Sequence, residues 1–125
     1  IGSVGFCWGG WVIFRASAAD FPLKCGAICH PSVRLEGYAG SSEVELSRKV
    51  KCPIMFASAR NDPDNVKEDG ECSNILKEKF PTSDVKSYGD VDHGWVSRGD
   101  ISDPVVAAAV QGALAQVEAF LSQNL

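Results

Sequence analysis

Short apolar runs alternate with helix-like patterns along this chain, and that alternation limits its fold more than any other feature. Ile1–Phe6 and the CGAIC run Cys25–Cys29 read as buried strands, as do Pro53–Ala59 and Val85–Tyr88. Between and after them, Trp11–Ala19, Glu43–Val50, Glu71–Phe80 and Val105–Ser122 read as helices. Pro22, Pro31 and Pro81 mark breaks. Asp103 supplies a cap, and Pro104 suits the first turn of the last helix. Ser32–Ser42, Arg60–Glu68 and Gly89–Gly99 are expected to be loops. The order β–α–β–α–β–α–β–α predicts βαβ crossovers, and so a mostly parallel sheet covered by helices on both faces. Ligands of such sheets bind at the carboxyl ends of the strands.

Composition removes several function classes. The 125 residues carry a net charge of −4, so a basic footprint for nucleic acid is not expected. The reading also expects no membrane partner, because the apolar runs are read as shorter than the ~20 residues of a spanning helix. The chain opens at Ile1, inside a strand and without Met, and is read as lacking N-terminal strands. Cys7, Cys25, Cys29, Cys52 and Cys72 are odd in number and make no C-x-x-C pair. A reducing, cytoplasmic setting is expected, with no disulfide framework, no metal and no cofactor. Cys25 and Cys29 should share one strand face as buried small hydrophobes.

The candidate chemistry falls where the fold class places it. Gly5-Phe6-Cys7-Trp8-Gly9 is a G-x-C-x-G run between a strand and a helix. It is the thiol form of the nucleophile elbow, in which Gly5 and Gly9 are expected to let strand and helix approach closely. A thiol at a helix N-terminus is favoured as the reactive thiolate. The competing reading is a plain turn with a buried cysteine. His93 follows the last strand and precedes the last helix, the place of the histidine in a nucleophile–acid–histidine order. His30 precedes every candidate acid and abuts Pro31, so it ranks second. Asp62 and Asp64 both follow the third strand, and periodicity does not choose between them.

Together GFCWGG, the PIMF run leading to Asp62, and Asp92-His93-Gly94-Trp95 resemble the dienelactone hydrolase family over the whole chain. CHPS at Cys29–Ser32 resembles its carboxymethylenebutenolidase-like branch. The resemblance implies the C-terminal half of an α/β-hydrolase domain. It selects Asp62 over Asp64 and makes Cys7, Asp62 and His93 a triad. The Cys7–Asp62 interval of 55 residues is longer than the family's and implies an enlarged Pro31–Ser42 loop. The implied reaction is hydrolysis of small esters or lactones through a thioester, without a metal. The backbone N–H of Trp8 becomes an oxyanion donor. Trp95 is assigned to the pocket, while Trp11 is assigned to core packing. The family's second substrate arginine falls at Ser97, and Arg98 beside it is assigned to an anionic substrate. The remaining oxyanion donor and a carboxylate acting on the cysteine are expected ahead of Ile1. The only partner implied is the substrate, and a monomer or homodimer is expected. The rival readings are an inert or binding α/β module and a glucanase-type glycoside hydrolase, for which two carboxyls must flank a sugar.

Overall fold

A computed structural model describes all 125 residues. Four strands form one sheet: β1 (Gly2–Phe6), β2 (Cys25–Cys29), β3 (Ile54–Ala59) and β4 (Asp84–Tyr88). Their order is sequential, and every pair is parallel. Each connection is a crossover carrying a helix: α1 (Trp8–Ala18), α2 (Glu43–Lys49) and α3 (Glu71–Lys79). Crossovers of one hand along a sequential sheet stack their helices on one face. Ile13 and Phe14 of α1, Leu46 of α2 and Leu76 of α3 accordingly meet Ile28, Ile54 and Phe56 there.

The other face belongs to α5 (Pro104–Asn124). Its Ala113, Val117 and Phe120 pack with Cys25, Ala27, Cys29, Met55 and Ala57. The side chains of β2 and β3 divide between the two faces with the period of two that a strand imposes. Every residue of these central strands is buried, which accounts for their unbroken apolar sequence. Cys25 and Cys29 share the α5 face as expected. Burial pushes the Cys29 thiol up to about 12 and those of Cys52 and Cys72 up to about 11. Of the five cysteines, Cys7 alone is not buried.

Several expectations need correction. The first helix begins at Trp8, directly after Cys7, rather than at Trp11. A 3₁₀ helix, Val33–Ala39, occupies the expected Ser32–Ser42 loop. A short helix, α4 (Trp95–Arg98), lies within the expected Gly89–Gly99 loop. Its entry depends on Gly94 in the left-handed region at φ 97. The last helix is long and apolar enough, by length and composition, to cross a membrane. The expectation that no run reaches that length is thus overturned. In the fold this helix lies on the sheet, where Gln116 donates to Asp84 and to the carbonyl of Phe56.

The glycine expectation also changes. A Cβ on Gly5 would meet Ile13 Cδ1 at 2.5 Å and the Gly9 carbonyl at 2.8 Å, so Gly5 is required for close approach. A Cβ on Gly9 would meet nothing within 4 Å. The second required glycine is Gly10, where a Cβ would lie 2.3 Å from Ile28 Cγ2.

Candidate active site

The site lies where the loops leave the carboxyl ends of the four parallel strands. Cys7 follows β1 and caps α1 with φ 50 and ψ −119, a conformation rare outside glycine. Strain of this kind costs about 1–3 kcal/mol and persists only where the surroundings enforce it. Here they do: the Cys7 N–H donates to Cys29 O at 3.2 Å, and its carbonyl accepts from Gly10 and Ser32. The sulfur stands at the start of α1, where the Trp8 N–H has no intrahelical acceptor. The Trp8 side chain is exposed.

Asp62 and His93 are joined across two loops. Asp62 Oδ1 lies 2.6 Å from His93 Nδ1. Asp62 Oδ2 accepts from the Ala59 N–H at 2.7 Å, which fixes the carboxylate against the end of β3. The Asp62 side chain is buried, whereas that of Asp64 is fully exposed and pairs only with Lys67 at 3.8 Å. The Asp62 loop and the His93 loop are tied by three further links, the last of them two hydrogen bonds. His93 N–H donates to Asn61 Oδ1 at 2.7 Å, Arg60 N–H to Val91 O, and the Arg60 guanidinium to Asp92.

The sulfur has two polar neighbours. Arg98 Nη1 donates to Cys7 Sγ at 3.3 Å, and His30 Nδ1 lies 3.1 Å from the same atom. Arg98 reaches the sulfur across Gly94; a Cβ there would lie 2.4 Å from the guanidinium carbon. His93 turns its Nε2 toward Ser32 Oγ at 3.4 Å. One nitrogen from each of His30 and His93 lies within 4.8 Å of Cys7 Sγ and of the other. Cysteine with two histidines is a ligand set for zinc or copper by type. Arg98 argues against a cation, because a dication on Sγ would sit beside its guanidinium.

Sequence reasoning ranked His30 second and did not single out Ser32. Both follow β2, the strand beside β1, so the parallel register delivers them to the sulfur. Strand adjacency was the signal that points to them. Trp95, assigned to the pocket, is buried against the rings of Tyr88 and His30. It borders an open cleft of about 340 Å³ together with Arg60, Asp92, His93, Gly94 and Arg98. Trp11, assigned to the core, is half-buried, and its indole N–H donates to the buried Glu36 at 2.9 Å. That bond ties α1 to the 3₁₀ helix.

A family model described as the dienelactone hydrolase family matches residues 1–125. Two uncharacterized AIM2 family proteins of Schizosaccharomyces pombe are each 30% identical, over 83% of this chain and 39% of their own length. A protein named dienlactone hydrolase 1 from Gibberella moniliformis is 28% identical, over 82% of this chain and 37% of its own. The chain spans about two fifths of the length of these relatives. No solved structure matches.

Proposed function

Since this chain belongs to the dienelactone hydrolase family, we propose that it carries the nucleophile, acid and histidine of a hydrolase acting on small esters or lactones. The observation that carries this reading is the 2.6 Å contact of buried Asp62 with His93, beside a cysteine held strained at a helix start. Asp62 favours the Nδ1–H tautomer of His93, and Nε2, 3.4 Å from Ser32 Oγ, takes and returns the proton. In the proposed reaction His93 Nε2 takes the proton of the Cys7 thiol, and the thiolate attacks the substrate carbonyl carbon, forming a C–S bond and an oxyanion. The Trp8 N–H faces that oxyanion. Collapse breaks the ester C–O bond, and the alkoxide leaves with the proton of His93. For a lactone it stays tethered to the acyl group. His93 Nε2 then takes a proton from water, and the hydroxide attacks the thioester. The thiolate leaves, and the free acid departs.

Arg98, which lines the open cleft and reaches Cys7 Sγ, supports an anionic substrate, with the cleft's wall at Trp95 as the apolar contact; Arg60 is already paired with Asp92. The glucanase reading loses support from the same geometry. Asp62 is spent on His93, while Asp64 stands in solvent beside Lys67, so these two carboxyls do not share a cleft. The test is hydrolysis of p-nitrophenyl acetate by the intact protein. Cys7→Ala and His93→Ala are each expected to lower kcat/KM by about 10²–10⁴. Full activity in folded Cys7→Ala would sink the reading.

A further inference from the structure

The reaction above leaves one buried group at the sulfur without a role. His30 is fully buried and holds φ 39, in the region that non-glycine residues rarely enter. Its N–H donates to Ala57 O at 2.7 Å, and its ring is packed between those of Phe6, His93 and Trp95 at 5.1–5.9 Å. This packing holds the plane of the ring. Nδ1 faces Cys7 Sγ at 3.1 Å, and Nε2 has no partner.

Those two facts decide where the proton sits. A neutral imidazole has one donor nitrogen and one acceptor nitrogen. A proton on Nε2 would bury an N–H with nothing to accept it, and buried donors are left unpaired more rarely than buried acceptors. Against the Cys7 thiolate it would also turn the lone pair of Nδ1 onto an electron-rich sulfur. A proton on Nδ1 aims the donor at the sulfur and leaves only an acceptor unpaired. The doubly protonated ring is disfavoured: burial, and then the charges of His93 and Arg98, push His30 down to about 4.

We propose that His30 is a further catalytic residue: a neutral, Nδ1-protonated imidazole that donates a hydrogen bond to the Cys7 thiolate and, with Arg98, holds it as the resting nucleophile. His30 carries no proton through the cycle; that task stays with His93. The division of labour follows from the surroundings of the two rings. His93 has a carboxylate behind it and is partly exposed, so it can gain a charge. His30 has neither. The inference rests on Cys7 being the nucleophile.

Alkylation of Cys7 by iodoacetamide, mapped by peptide mass spectrometry in the intact protein, reads the thiolate without needing the substrate. His30→Leu is expected to slow it about tenfold at pH 7 and to move its pH profile upward. His30→Asn keeps a donor near the place of Nδ1 and tolerates positive φ, so its rate should stay within about threefold of the parent's. In the unsubstituted protein, ¹⁵N NMR should find His30 as the Nδ1–H tautomer near neutrality. Unchanged alkylation in folded His30→Leu, or an Nε2–H tautomer, overturns the inference. If His30→Leu does not fold, the tautomer and the rate of His30→Asn decide. His30-dependent alkylation in a protein that hydrolyses no ester would uphold this inference and defeat the proposed function, so the two fail separately.

Discussion

Asp62 spends one oxygen on His93 and the other on the backbone of Ala59, so it orients the ring from a fixed base. Asp62→Asn keeps the shape but offers an amide N–H where His93 needs an acceptor. It should favour the wrong tautomer and lower kcat by about 10²–10⁴, with thermal unfolding little changed. A loss of activity matched by a collapse of Tm would instead make Asp62 a folding residue. Arg98 is the residue where substrate preference is expected to show. Arg98→Gln should raise KM for a carboxylate-bearing ester about tenfold more than KM for a neutral one; equal effects on both would remove its role with anionic substrates. Cys7 and His93 could be named from sequence because each lies in a local pattern of its own, whereas Asp62 was separated from Asp64 only by the family resemblance. His30 and Ser32 lie in the CHPS run, but nothing local in it ties them to the sulfur; they reach it through the pairing of β1 with β2. Trp95 illustrates a second limit, since a sequence names an aromatic residue without saying which of its faces is covered.

At the scale of elements, the elbow depends on α1 lying close to both β1 and β2. Gly10 makes the second approach possible, with Ile28 Cγ2 2.3 Å from where a Cβ would sit. Gly10→Ala should therefore destabilise the protein by about 1–3 kcal/mol. Gly9→Ala, in open space on the same helix, should be neutral or stabilise by up to about 1 kcal/mol. Urea unfolding of both variants checks the pair, and the opposite ranking would refute this account of the turn. The G-x-C-x-G pattern pointed to Gly9, because it registers where glycine occurs and not what a side chain would strike. The long elements were legible because their periods are long enough to read. The 3₁₀ helix Val33–Ala39 and the four residues of α4 were not. Neither is long enough for its period to stand out, and α4 is started by the left-handed turn at Gly94.

At the scale of the molecule, the parallel sheet gathers residues from four loops at one end, and it buries a histidine there. Burial depresses His30 to about 4, below the 6.5 of an exposed imidazole, so the unfolded chain binds this proton more readily than the folded one. Stability from this source is complete above about pH 6.5 and is lost as pH falls toward about 4. The loss is on the order of 2–3 kcal/mol. Urea unfolding at pH 7.5 and pH 5 should show the decline, and His30→Asn should flatten it. An unchanged slope in that variant would mean that another group carries the effect. The alternation of strands and helices made the sheet and its two covered faces legible from sequence. The apolar length of α5 was not, because Gln111, Gln116 and Glu118 interrupt it. No unbroken apolar run stands out there, although an 18-residue stretch of the helix is apolar on average.

The central claim is that Cys7 forms a thioester during turnover. The direct measurement is peptide mass spectrometry of the intact protein, quenched in acid while it hydrolyses p-nitrophenyl acetate. The account predicts an acetyl group on Cys7 and on no other cysteine, persisting longer in His93→Ala. Continued hydrolysis with Cys7 never acylated would contradict it.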